Sequence, residues 1–134
     1  MKTILFAPAT FNLAETTRMI EIAKVLRHDY HCVFCGFSET YLELIKEEKF
    51  EVTLLNPILT SAQEAAIIKF DQGKSLKNPF TTELVTERVA SELALIEKLA
   101  PRDWQQCDDL FICPHRTYSF SLCQTRCDVA TAFQ

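Results

Sequence analysis

Apolar residues in this chain fall in short runs, separated by stretches where they recur every three or four positions. Thr3 to Ala7 (TILFA) is a β-type run, and Pro8, which has no N–H to give a ladder, ends it. Asn12 followed by Glu15 is a capping pair, and Met19, Ile22, Ala23 and Leu26 then recur at helical spacing, which predicts a helix near 13–27. His31 to Phe37 is a second strand. Thr40 and Glu43 suggest another capped start, for a short helix carrying Tyr41, Leu44 and Ile45. Glu51 to Leu55 is a third strand, stopped by Asn56-Pro57. Ser61 and Glu64 open a helix that runs to about Phe70, and 71–79 is loop. A long helix runs from Thr81 or Thr82 to about Ala100, with Val85, Val89, Leu93 and Ile96 on one stripe, and Pro101 ends it. Leu110 to Cys113 is a fourth strand, 116–126 is weakly helical, and Val129 to Phe133 is a candidate fifth strand.

Strands alternating with helices predict β-α-β units and a parallel sheet. The expected fold class is α/β: one Rossmann-like domain over 1–134, an open parallel sheet with helices on both faces, the first two strands being neighbours. Ligands of such sheets bind at the carboxyl ends of the strands. That gathers Pro8–Glu15, Gly36–Thr40, Asn56–Ser61 and Pro114–Tyr118 around one expected crevice.

Composition narrows the chemistry. The net charge is −4, from 14 Lys+Arg against 18 Asp+Glu, so nucleic acid is not the expected partner. No apolar run approaches the roughly 20 residues that span a bilayer, and the start lacks a signal-peptide pattern, so no integral membrane segment and a cytoplasmic location are expected. The only two glycines, Gly36 and Gly73, cannot build a dinucleotide or Walker phosphate loop, and no cofactor is expected. A homodimer is compatible with the composition.

The six cysteines read as reduced thiols. Cys32 and Cys35 form a C-x-x-C inside a strand, where residues three apart point to opposite faces, so buried core is the expected role. Cys107, Cys113, His115, Cys123 and Cys127 lack paired C-x₂-C knuckles, and no metal site is expected. Residues 1–100 hold eight Lys and twelve Glu, and 101–134 hold neither. Burial of the last segment explains part of that break; a change of reading frame after about Pro101 is the alternative.

The first sixty residues resemble the opening of GT-B glycosyltransferases of the UDP-glycosyltransferase type. A strand and loop lead into the helix T-T-R-M-I-E-I-A-K-V-L, where Ala23 and Leu26 fall on the family's Ala and Leu. Asp29 to Phe34 falls on the family's strand entry. The resemblance implies an acceptor-binding N-terminal domain, with a small-molecule sugar acceptor here and the nucleotide-sugar held by a missing or separate C-terminal domain. The family's general-base His falls on Glu15, which is the candidate catalytic residue; a helix-capping role, with its side chain folded back onto the Asn12 amide, competes with it. Thr10, Phe11, Asn12, His115 and Arg116 are the candidate substrate-binding residues. Phe11, Phe37 and Phe80 are candidates to line an apolar acceptor pocket, core packing being the competing role for at least two. The lysines around Gly73 (Lys69, Lys74 and Lys77) read as a solvated connector, although the family's long loops there shape the acceptor pocket. A reading from a different class is a stand-alone, non-catalytic Rossmann- or flavodoxin-like binding or partner module.

Overall fold

A computed structural model describes residues 3–99, and residues 110–112 as a strand of its sheet. The weakly helical stretch expected at 116–126 and the candidate fifth strand at 129–133 lie outside the described residues. The elements run β1 (Thr3–Phe6), α1 (Leu13–Leu26), β2 (His31–Gly36), α2 (Leu42–Glu47), β3 (Glu51–Leu54), α3 (Ser61–Asp71), α4 (Thr82–Leu99) and β4 (Leu110–Ile112).

The strands pair in the order β3-β2-β1-β4, all parallel. Thr3 to Phe6 face His31 to Phe34 in register, and Val33 to Gly36 face Glu51 to Leu54. β1 and β2 are therefore neighbours, as their sequences lead one to expect.

Alternate residues of each strand enter two separate cores. Ile4, Phe6, Cys32 and Phe34 meet Met19, Ile20 and Ala23 of α1 and Ile45 of α2. Leu5, Val33 and Cys35 meet Ile67 of α3 and Leu95 of α4. Helices thus cover both faces, which is why β1 and β2 read as continuous apolar runs rather than alternating ones. The distribution follows the strand order. Two steps in one direction, β1 to β2 to β3, carry α1 and α2 on one face. The return from β3 to β4 carries α3 and α4 on the other, as crossovers of a single hand require.

Three helices differ in detail from expectation. The box on α3 is formed by Thr60 and Gln63, one residue earlier than Ser61 and Glu64: the Gln63 N–H donates to Thr60 Oγ1 at 3.2 Å and the Thr60 N–H to Gln63 Oε1 at 2.9 Å. Both pairs have the right spacing, and Glu64 is drawn away to another loop. The N-cap of α2 is Tyr41, with no side-chain cap bond, while Thr40 turns its hydroxyl to Glu64 and Glu43 pairs with Lys46. An ionised carboxylate outcompetes a helix-end amide as a hydroxyl's partner. On α4 the buried line runs through Arg88, Glu92 and Leu95, whereas Val85, Val89, Leu93 and Ile96 are only half-buried. The apolar stripe read from sequence is thus rotated from the face that the sheet covers.

Candidate functional site

The carboxyl ends of β1, β2 and β3 bring three loops together. The first follows β1. Ala7 to Thr10 are buried, and the turn closes when the Asn12 N–H donates to Ala9 O at 2.8 Å. Asn12 then caps α1, its Oδ1 accepting the Glu15 N–H at 3.2 Å. The Glu15 carboxylate does not fold back onto the Asn12 amide, which is already engaged. Its Oε2 instead accepts the Ala9 N–H at 3.0 Å. Thr16 Oγ1 donates to Ala9 O at 3.4 Å. A fixed negative charge therefore stands inside the β1–α1 turn, beside the positive end of the α1 dipole.

The second loop follows β2 and is locked to the first. Thr10 is 1% exposed, and its hydroxyl donates to Ser38 O at 2.7 Å and accepts the Ser38 N–H at 3.1 Å. The Tyr41 N–H donates to Thr10 O at 2.9 Å. This closeness dictates Gly36. Its backbone is an ordinary strand, but a Cβ there would lie 2.4 Å from Thr10 Cγ2 and 2.6 Å from its Oγ1. The third loop follows β3 and contains a cis Asn56–Pro57 bond. The Leu59 N–H donates to Phe37 O at 2.7 Å, and Ser91 of α4 donates its hydroxyl to Asn56 O. Glu64 at the start of α3 accepts from the hydroxyls of Ser38 and Thr40.

No protein-family model, curated protein or solved structure matches this chain. What the loops can hold follows from their own donors and acceptors. Of the candidate residues, Thr10, Phe11, Asn12 and Glu15 share the first loop and its helix start. The Thr10 hydroxyl is committed to Ser38, Asn12 is exposed, and Phe11 is half-buried against the core between the sheet and α4. Phe37 is buried in that core, and Phe80 packs on it. His115, Arg116 and the cysteines from 107 onward lie outside the described residues. Among the described residues no group of three His, Cys, Asp or Glu is placed to hold a metal, and no helix is long and apolar enough to cross a membrane. The lysines Lys69 and Lys77 flank an open groove of about 630 Å³ floored by Ala62, Ala65 and Ala66 of α3. It lies along α3 and the segment before α4 rather than at the strand ends.

Two buried charges escape a reading based on apolar spacing. Arg88 and Glu92 of α4 are 4% and 2% exposed, and the Arg88 guanidinium lies 4.3 Å from the centre of the Phe37 ring. The signal available in the sequence is the i, i+4 spacing of opposite charges on a helix, a pattern that solvated helix faces share.

Cys32 and Cys35 enter opposite cores, so the C-x-x-C cannot act as a dithiol pair. Burial pushes the Cys32 thiol up, against a smaller lowering by the Arg27 charge, so little of it is the reactive thiolate. In the native chain at neutral pH both thiols should resist iodoacetamide, and both should label once urea unfolds it. Peptide mapping that finds rapid native labelling at either position would contradict this packing.

Proposed function

We propose that this chain is a Rossmann-like ligand-binding domain taking a neutral, hydroxyl-bearing small molecule at the carboxyl ends of β1 and β2. It fills the acceptor side of a nucleotide-sugar-dependent glycosyltransferase, and the nucleotide-sugar belongs to another domain or chain. One observation carries the reading: the Glu15 carboxylate holds the Ala9 N–H within the β1–α1 turn. In nucleotide-binding sheets that turn offers its amides and the helix dipole to phosphate. Here an internal anion has taken the position, and a phosphate would meet it at close range with like charge. The strand order supports the location. The strand order reverses on the β4 side of β1, and ligands of open α/β sheets bind beside such a reversal, which favours the end of β1 as the centre of the site.

In this reading Glu15 positions the loop backbone, and the acceptor lies over Ala9 to Asn12. The full chain, followed by amide NMR, tests it. Adding 4-nitrophenyl β-glucopyranoside should shift the amides of Ala9 to Asn12 saturably, and UDP-glucose should leave those amides unmoved. Saturable UDP-glucose binding in that turn, or a neutral glucoside that moves nothing there, would overturn the proposal. The same measurement separates a non-catalytic partner module, which needs neither ligand.

A further inference from the structure

We propose that the groove between α3 and the segment before α4 binds an amphipathic carboxylate, an apolar chain ending in one negative charge. The groove lies away from the carboxyl ends of the strands, and the inference does not depend on the ligand proposed there.

The first wall is set by the sequence of α3. Ala62, Ala65, Ala66 and Lys69 fall at helical spacing on one face. The core takes a different residue of this helix, Ile67, and leaves that face exposed. The chain then reverses at Gly73, whose φ of 70° suits a residue without a Cβ. The Gly73 N–H donates to Phe70 O at 3.0 Å and the Lys74 N–H to Lys69 O at 2.8 Å. Ser75, Lys77, Asn78, Pro79 and Thr81 form the second wall, facing the alanines. Local bonds stiffen it: the N–H groups of Lys77, Phe80 and Leu84 donate to Ser75 Oγ, Asn78 Oδ1 and Thr81 Oγ1 at 3.3, 2.9 and 3.2 Å. The space between the walls is about 630 Å³, within the roughly 300–1,000 Å³ of small-molecule sites.

Charge then selects among ligands. The only charged residues lining the groove are Lys69 on the helix and Lys77 on the facing wall, in a chain whose net charge is −4. Among the described residues neither ammonium has a carboxylate partner. A cation would meet two like charges and no acid to offset them. A phosphate needs several donors around it, and the amides of Lys77, Phe80 and Leu84 already donate to the wall's own side chains. A single carboxylate asks only for an ammonium partner, and the exposed alanine floor gains by covering the apolar chain behind it.

The full chain, followed by amide NMR, is titrated with octanoate. Parallel titrations use octylammonium, which reverses the charge, and acetate, which lacks the chain. Octanoate should shift the amides of Ala62, Ala65, Ala66 and Lys77 saturably and leave Ala9 to Asn12 unmoved. Neither of the other two should saturate there. Lys69→Gln and Lys77→Gln should each weaken octanoate binding about 3-fold, the size of an exposed ion pair. Ala66→Leu keeps a good helix former but fills the floor, and should abolish binding without altering charge. Octylammonium or acetate binding as tightly as octanoate, octanoate acting only at Ala9 to Asn12, or no response at all would overturn the proposal. The glucoside experiment is read at other amides, so either proposal can fail alone. Where a variant fails to fold, the three ligands on the unaltered chain decide.

Discussion

Replacing Gly36 with alanine is expected to cost about 3 kcal/mol of stability, from overpacking together with the loss of buried hydrogen bonds. The new methyl would stand 2.4 Å from Thr10 Cγ2 and 2.6 Å from Oγ1, distances at which something must move. The strand backbone of Gly36 is held by its pairing with β3, so Thr10 is the group that yields. Yielding breaks both of its bonds to Ser38 in a place that water does not reach. The damage is therefore twofold, steric and polar, and it falls on the junction of the two loops that frame the site. Urea unfolding of a double-mutant cycle checks the cause. In a Thr10→Ala background the two nearest atoms are gone, and only the Cβ contact at 3.1 Å remains. There the cost of Gly36→Ala should fall below about 1 kcal/mol, since neighbours that share a contact couple strongly. An equal cost in both backgrounds would show that Gly36 is needed for another reason.

Phe34→Ala should cost more, about 4 kcal/mol, because it empties the middle of the core between the sheet and α1 and α2. Phe34 is 1% exposed and stacks on Phe6 at 4.9 Å between ring centres, with Phe50 tilted against it at 5.2 Å. The register puts Phe6 directly opposite Phe34, so two parallel strands hold the rings and cannot close over the cavity without shifting the ladder. Phe50 is itself covered by the Arg27 guanidinium, 4.2 Å from its centre, which ties the C-terminal end of α1 to the same cluster. For a domain of this size such a loss is a large share of the total stability. Phe34→Leu, which refills most of the volume, should cost under ~1.5 kcal/mol. Val25→Ala, on the exposed side of α1, should stay within about 0.5 kcal/mol of the parent chain. Calorimetric melting of the three variants should reproduce that order, and a mild effect of Phe34→Ala would mean that the core repacks freely.

The strands and helices of the first hundred residues were legible because each announces itself locally. Pro8 stops β1, Asn12 starts α1, Asn56-Pro57 follows β3, and the apolar period changes from runs to stripes between them. The opposite destinations of Cys32 and Cys35 also follow from strand geometry alone. What could not be read depends on partners far along the chain. Glu64 lies 26 residues from Ser38, and no local spacing tells it to leave its own helix start for that hydroxyl. The Thr10 hydroxyl is likewise spent on a carbonyl 28 residues away. Arg88 and Glu92 were invisible for another reason: a search for apolar periodicity discards charged residues before asking where they point. The site was legible as a place, the loop after β1, but not in its bonding. Which amide the Glu15 carboxylate takes depends on the Asn12 N–H being satisfied first by Ala9 O.

β3 has one further consequence, for what happens between molecules. Among the described residues it is the outermost strand on its side of the sheet, so one row of its backbone donors and acceptors faces outward, a template on which another chain could build. The strand is only four residues long, and Glu51 and Thr53 are exposed along it, Glu51 with His31 of the neighbouring strand 3.8 Å away. Pro57, three residues past its end, has no amide to offer an extended ladder. An incoming strand would find few places to bond and a carboxylate held at the junction, so this edge resists the edge-to-edge growth that leads parallel sheets into fibres.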